Sequence, residues 1–124
     1  MKFYICEHCG NIITKLTDGK VPVSCCGELM KELVPNSKEA ALEKHRPVII
    51  EEDGKRYATV GSTIHPMTPE HYIEWLVVDY GTHYRTYHFN PGEEPKVKLC
   101  KCEVVNMYAY CNLHGLWDLE KKVD

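Results

Sequence analysis

The chain has 124 residues, a formal net charge of −3 and seven cysteines, which suits one ordinary domain or a mid-sized domain with a very small companion. The acidic balance and the lack of a basic tract exclude a general nucleic-acid binder, and no apolar run approaches the ~20 residues of a membrane helix. With no export signal at Met1-Lys2-Phe3-Tyr4-Ile5, so many cysteines point to metal binding rather than disulfides, and a soluble, cytoplasmic protein is expected.

Residues 1–34 read as a separate miniature unit. Cys6-Glu7-His8-Cys9-Gly10 stands near its start and Val23-Ser24-Cys25-Cys26-Gly27 near its end. Between them, Asp18-Gly19 flanked by Lys15-Leu16-Thr17 and Lys20-Val21 predicts a hairpin. So short a unit needs a metal or a crosslink to fold, and a tetrahedral all-thiolate centre on Cys6, Cys9, Cys25 and Cys26 would be that staple. Neighbouring side chains on a strand point to opposite faces, so Cys25 and Cys26 can share one metal only where the backbone bends. Gly27 allows such a bend. Spacing leaves zinc and iron equally open at this centre, and His8 is expected to be exposed.

Leu33-Val34-Pro35-Asn36-Ser37-Lys38 reads as a linker. Asn36 and Glu39 match a capping box opening a short helix through Ala40, Ala41 and Leu42, which must stop near His45 because Pro47 disfavours a helical Arg46. From Pro47 onward the pattern is β. Strands are expected over residues 48–52, 55–60, 71–79, 82–89, 96–101, 103–110 and 116–120, the first two joined by an Asp53-Gly54 turn. Seven short strands with turn signals between them predict an immunoglobulin-like β-sandwich, with residues 61–70 as a loop at one end.

Chemistry concentrates near the C-terminus, in Cys111-Asn112-Leu113-His114-Gly115-Leu116-Trp117. A Cys-x-x-His step is short enough for both side chains to reach one metal, although a buried cysteine beside a core histidine is the commoner situation. Three upstream histidines in distinctive settings add weight: Glu43-Lys44-His45-Arg46-Pro47, His65-Pro66-Met67 and His71-Tyr72-Ile73-Glu74-Trp75. Four imidazoles and one thiolate make five ligands and leave a sixth position open. His83 and His88 read as ordinary strand histidines, Cys100 and Cys102 as free thiols sharing one strand face, and Trp75 and Trp117 as core aromatics.

Taken together, these residues resemble the desulfoferrodoxins, the two-iron class of superoxide reductases, over almost the whole length. Cys6-x-x-Cys9 with Cys25-Cys26 matches a desulforedoxin-like (rubredoxin-like) N-terminal iron domain, here residues 1–35. Glu43-Lys44-His45, His65-Pro66-Met67, His71-x-Ile73-x-Trp75 and Cys111-Asn112-x-His114-Gly115 match a neelaredoxin-like catalytic domain, here residues 36–124.

The resemblance implies two iron ions per chain. It implies an equatorial plane of His45, His65, His71 and His114, with Cys111 as axial ligand. Lys44 would be the cation beside the open position and Glu43 the carboxylate that closes on the oxidised site. It further implies reduction of superoxide to hydrogen peroxide, re-reduction by a small carrier such as rubredoxin, and a homodimer. The alternative from another class is a non-enzymatic, rubredoxin-like electron carrier or structural metal protein.

Overall fold

The computed structural model describes residues 1–40, 42–63 and 65–119, leaving out the side chains of residues 42 and 43. The chain divides into two compact units, Met1–Val34 and Pro35–Asp124.

The first unit holds five very short strands: β1 (Phe3–Ile5), β2 (Ile12–Thr14), β3 (Ser24–Cys25), β4 (Glu28–Leu29) and β5 (Lys31–Leu33). They form an antiparallel sheet in the order β2-β1-β5 and a separate β3-β4 ribbon. The first hairpin turns through the Cys6–Gly10 knuckle, where Gly10 N–H donates to Cys6 O at 2.8 Å and Cys6 N–H to Asn11 O at 2.9 Å. The ribbon turns on Cys26-Gly27, both at positive φ (53° and 77°), the signature of a two-residue type I′ turn.

The hairpin expected at Asp18-Gly19 does not form. Asp18 Oδ1 instead accepts the Lys20 N–H at 2.8 Å, while Lys15 Nζ donates to Asp18 Oδ1 at 3.4 Å and to Val21 O at 2.9 Å. The segment meets its polar needs through local side chains and has no call for a ladder.

The second unit opens with α1 (Leu42–His45) and continues through β6 (Pro47–Glu52), β7 (Lys55–Val60), β8 (Ile73–Asp79), β9 (Tyr84–His88), β10 (Lys96–Lys98), β11 (Asn106–Cys111) and β12 (Gly115–Asp118). These seven strands form two antiparallel sheets, β10-β7-β6 and β12-β11-β8-β9. Their inner faces meet in one cluster: Ala58 and Val60 from the first sheet, and Ile73, Leu76, Val78, Met107, Ala109 and Cys111 from the second, all nearly inaccessible. This is the expected mainly β, immunoglobulin-like sandwich. Asp53 and Gly54 both take positive φ and close the β6-β7 hairpin.

Three local expectations change. Asn36 caps no helix: its Nδ2 donates to Asp118 Oδ1 at 2.6 Å, its Oδ1 accepts from Asp118 N–H at 3.2 Å, and its own N–H donates to Leu116 O at 2.9 Å. Its side chain is spent on the edge of β12; the described helix is Leu42–His45, and Ala41 of the expected helix lies outside the described residues. Cys100 and Cys102 do not share a strand either, because β10 ends at Lys98 and the chain bends at Lys101 and Cys102. There Arg56 Nη2 takes both cysteine carbonyls as acceptors, which removes them from any ladder. His83 likewise lies in the turn between β8 and β9, stacked on Tyr80, rather than in a strand.

One irregularity bears on the site. β11 and β8 stay in register from Asn106↔Asp79 to Tyr110↔Trp75, then shift so that Cys111 faces Ile73 and Glu74 is left over. Simple alternation would put Ile73 with Trp75 on the outer face; the bulge returns it to the core beside Cys111.

Candidate metal centres

In the first unit the four sulfurs of Cys6, Cys9, Cys25 and Cys26 lie within 4.8 Å of one another. Cys9 and Cys25 sulfurs are 3.6 Å apart and those of Cys25 and Cys26 4.0 Å. A tetrahedron with metal–sulfur bonds of about 2.3 Å has edges of about 3.8 Å, so the cage fits one ion. Adjacent cysteines can converge because Cys26 itself adopts the left-handed conformation, which swings its side chain off the strand alternation.

Backbone N–H groups of Cys9 and His8 pull the Cys6 thiol down to about 6, whereas hydrogen bonding with Cys9 and Cys25 pushes Cys26 up to about 12. So crowded a set cannot hold four negative charges without a cation. His8 is exposed, as expected.

In the second unit His45, His71, Cys111 and His114 bring one donor atom each within 4.8 Å of the others. His45 closes α1, His71 precedes β8, Cys111 ends β11, and His114 lies in the turn to β12. His65 stands just outside that group by donor distance, but its ring completes the constellation. It meets His45 edge-on (centroids 4.6 Å, 82°) and His71 edge-on (4.7 Å, 78°). His71 meets His114 at 5.1 Å and 73°, and His114 meets His45 at 4.8 Å and 86°. The opposed pair His45 and His71 are nearly parallel at 6.2 Å. Four imidazoles thus stand in a closed cycle, each roughly perpendicular to its neighbours, above the buried Cys111.

The ring nitrogens have defined roles. His65 Nδ1 lies 2.6 Å from Pro66 O and so carries the proton, leaving Nε2 as a lone pair. That Nε2 and the His71 Nε2 are buried without a hydrogen-bond partner among the described residues. His114 presents Nδ1, 3.0 Å from His45 Nε2 and 3.8 Å from Cys111 Sγ. Buried lone pairs with no donor are costly unless a cation meets them, so the site fits a metal.

Burial dominates the titration of the set. It holds His65 down to about 4, with His45, His71 and His114 adding to the effect, and it lowers His71, helped by His114 and Lys44. Neutral imidazoles are the ligand form. Burial pushes the Cys111 thiol up, and the N–H groups of Leu113 and His114 pull it partly back.

Lys44 is exposed, and its charge reaches His71. The carboxylate of Glu43 lies outside the described residues.

Other residues hold the ligands in place. Asn112 Oδ1 accepts the Tyr72 N–H at 2.9 Å and its Nδ2 donates to Glu70 O at 2.9 Å, tying the His71 segment to the turn that carries Cys111 and His114. Trp117 lies against the His45 ring at 5.0 Å and donates its Nε1–H to His114 O at 3.0 Å. Gly61, at φ +82°, lies so close to the Lys44 carbonyl that a Cβ would stand 2.6 Å from it. Sequence reading counted Asn112 among the motif residues and Gly61 at the start of a loop but gave neither a role at the site. Asn112 lies between the motif residues Cys111 and His114, whereas nothing local to Gly61 signals its contact with Lys44.

The family model for desulfoferrodoxin matches residues 37–120. A desulfoferrodoxin homolog of Archaeoglobus fulgidus is 43% identical over 119 residues, covering 94% of each chain. The desulfoferrodoxin of Nitratidesulfovibrio vulgaris is 43% identical over 122 residues, covering 96% of this chain and 95% of that one. Among solved structures, the superoxide reductase of Treponema pallidum superposes with a TM-score of 0.74 at 28% identity, over 95% of this chain and 98% of that one. On sequence, fold and clustered metal-ligand residues alike, the chain belongs to the desulfoferrodoxin family.

Proposed function

We propose that the protein is a superoxide reductase that converts superoxide to hydrogen peroxide at a mononuclear iron held by His45, His65, His71, His114 and Cys111. The observation that carries this reading is the cycle of four imidazoles over one buried cysteine, with buried, unpartnered ring nitrogens at His65 Nε2 and His71 Nε2. Five donors of this kind suit an ion that prefers six positions, as iron does, better than zinc with its four. Iron bound there would supply the one electron that superoxide requires and would keep one position for it.

The chain's own residues set the direction of the chemistry. Cys111 is fully buried in the core cluster, so the side of the imidazole cycle away from it is the side that superoxide can reach. Lys44, exposed and close enough to influence His71, places a positive charge near that side and draws the anion in despite the acidic chain. The Leu113 and His114 N–H groups share the charge of the Cys111 sulfur and moderate its donation. Glu43 is assigned, by resemblance, the carboxylate that takes the open position after turnover.

The desulforedoxin-like first unit would hold a second iron on Cys6, Cys9, Cys25 and Cys26. The neelaredoxin-like second unit carries the reaction, and a small carrier such as rubredoxin returns the electron. A homodimer is part of the same reading. In its favour, Leu16, Val21, Leu29 and Val34 leave more than half of their surface open on the first unit.

Pulse radiolysis of the reduced, iron-loaded protein tests the proposal. The expected result is a transient thiolate-to-metal absorption band that Cys111→Ser abolishes, with peroxide formed and no oxygen beyond spontaneous dismutation. No reaction above the uncatalysed background would leave a rubredoxin-like carrier or a structural metal protein instead.

A further inference from the structure

Away from the imidazole cycle, the loop between β10 and β11 brings a second set of reactive groups together. Cys100 and Cys102 are both free and exposed. Over an extended stretch, alternate residues sit about 7 Å apart, beyond the usual Cα separation of a disulfide. Here the chain bends at Lys101 and Cys102, and a single atom, Arg56 Nη2, donates to both carbonyls, Cys100 O at 2.9 Å and Cys102 O at 2.6 Å. The bend and the guanidinium hold the two cysteines on a shortened, shared arc. No third His, Cys, Asp or Glu joins them among the described residues, so they do not make a metal cage.

We propose that Cys100 and Cys102 form a peroxide-oxidisable dithiol, with Cys100 as the attacking sulfur and Cys102 as the resolving one. The environments of the two sulfurs are unequal in the required sense. The Cys102 thiol and N–H, then the Tyr80 hydroxyl and the Arg85 charge, lower the Cys100 pKa, while Cys100 in turn raises that of Cys102. A thiolate that is exposed and flanked by arginines is the reactive form.

The chemistry balances with hydrogen peroxide as sole oxidant. The Cys100 thiolate attacks one peroxide oxygen, the O–O bond breaks, and hydroxide leaves and takes up the Cys100 proton as water. Cys102 sulfur then displaces the hydroxyl from Cys100 sulfenic acid, forming the S–S bond and releasing a second water. Two thiols lose two electrons and one peroxide gains them. The choice of peroxide rests on the proposed function, because that reaction would release it from the same molecule.

The test is to add hydrogen peroxide directly to the oxidised, iron-loaded protein, alkylate, and map the peptide that carries both cysteines. The expected result is loss of both alkylatable thiols with loss of two hydrogens in mass, reversed by dithiothreitol. In Cys102→Ser, dimedone should label Cys100, and in Cys100→Ser no label should appear on Cys102. The inference is overturned if both thiols stay alkylatable under conditions that oxidise free cysteine in the same tube. It is equally overturned if dimedone labels Cys102 in Cys100→Ser as fast as Cys100 in Cys102→Ser. Because the peroxide is supplied from outside, neither result depends on whether the protein reduces superoxide.

Discussion

His45 Nε2 lies 3.0 Å from His114 Nδ1, which brings the end of α1 against the turn between β11 and β12. At that distance the two lone pairs must meet either one shared proton or one shared cation. His65 and His71 stand in the same cycle with pKa values lowered chiefly by burial, His65 to about 4 from 6.5. Between those two values the unfolded chain binds more protons at His65 than the folded one, so folding weakens as protons become available. The His65 contribution to the stability of metal-free protein should therefore be complete above about pH 6.5 and be lost at up to about 1.4 kcal/mol per pH unit on the way down to about 4. Urea unfolding at stepped pH reads this directly, and a flat profile would contradict it. Bound metal should flatten the upper part of the slope, since it competes with the protons.

Asn112 should matter more than its half-exposed position suggests. Replacing it by Ala removes the bonds to Tyr72 N–H and Glu70 O that hold His71 to the Cys111 turn. The expected cost is about 1–3 kcal/mol in stability together with weaker metal binding at the imidazole cycle. Calorimetry with metal titration separates the two effects; unchanged metal affinity would refute the clamp.

Gly61→Ala is a sharper probe of the same region. The new Cβ would stand 2.6 Å from the carbonyl oxygens of both Lys44 and Thr63, on a backbone already at φ +82°. The Gly61 N–H also donates to Arg46 O at 2.8 Å, so any relief must move residues 44–46. We expect a loss of more than about 2 kcal/mol in denaturant unfolding, and altered ligand-field absorption at the second-unit metal. A variant with wild-type stability would show that this contact is slack.

Lys44→Ala should slow capture of superoxide and flatten its dependence on ionic strength, because the removed charge is the part of the local field that salt screens. Rate constants from pulse radiolysis across a salt series test this. Equal slopes for the two proteins would remove Lys44 from the steering role.

In the first unit, metal removal should be a folding event. Its strands are two or three residues long and leave Leu16, Val21 and Leu29 largely exposed, so the four-sulfur cage rather than an apolar core is what holds it. Cys26→Ser, or chelation at the Cys6–Cys26 cage, should collapse amide protection in residues 1–34 while β8 and β11 keep theirs. Hydrogen exchange followed by NMR reports both units at once, and retained protection in the first would argue for a self-sufficient core.

Much of this molecule is legible along the chain wherever the physics is local. Asp53-Gly54 closes a hairpin because its two residues tolerate positive φ, and β6 to β12 follow from alternation and turn residues. Cys6-x-x-Cys9 and Cys111-x-x-His114 each set two donors on one turn, so their spacing already speaks of a metal. Local signals mislead where another partner, distant or near, wins. Asn36 reads as a cap but is drawn to Asp118, 82 residues away, and Asp18-Gly19 reads as a hairpin but is satisfied by Lys15 and Lys20.

Only the tertiary structure brings His45, His65 and His71 around the Cys111 turn, since the first comes from the end of α1 and the other two from the connection between β7 and β8. The same holds for the bulge at Glu74, for Gly61 under Lys44, and for Arg56 drawing Cys100 and Cys102 together. A sequence determines which donor atoms exist and which neighbours share a turn. Which donors converge depends on how two sheets pack, and that is decided by burial summed over the whole core.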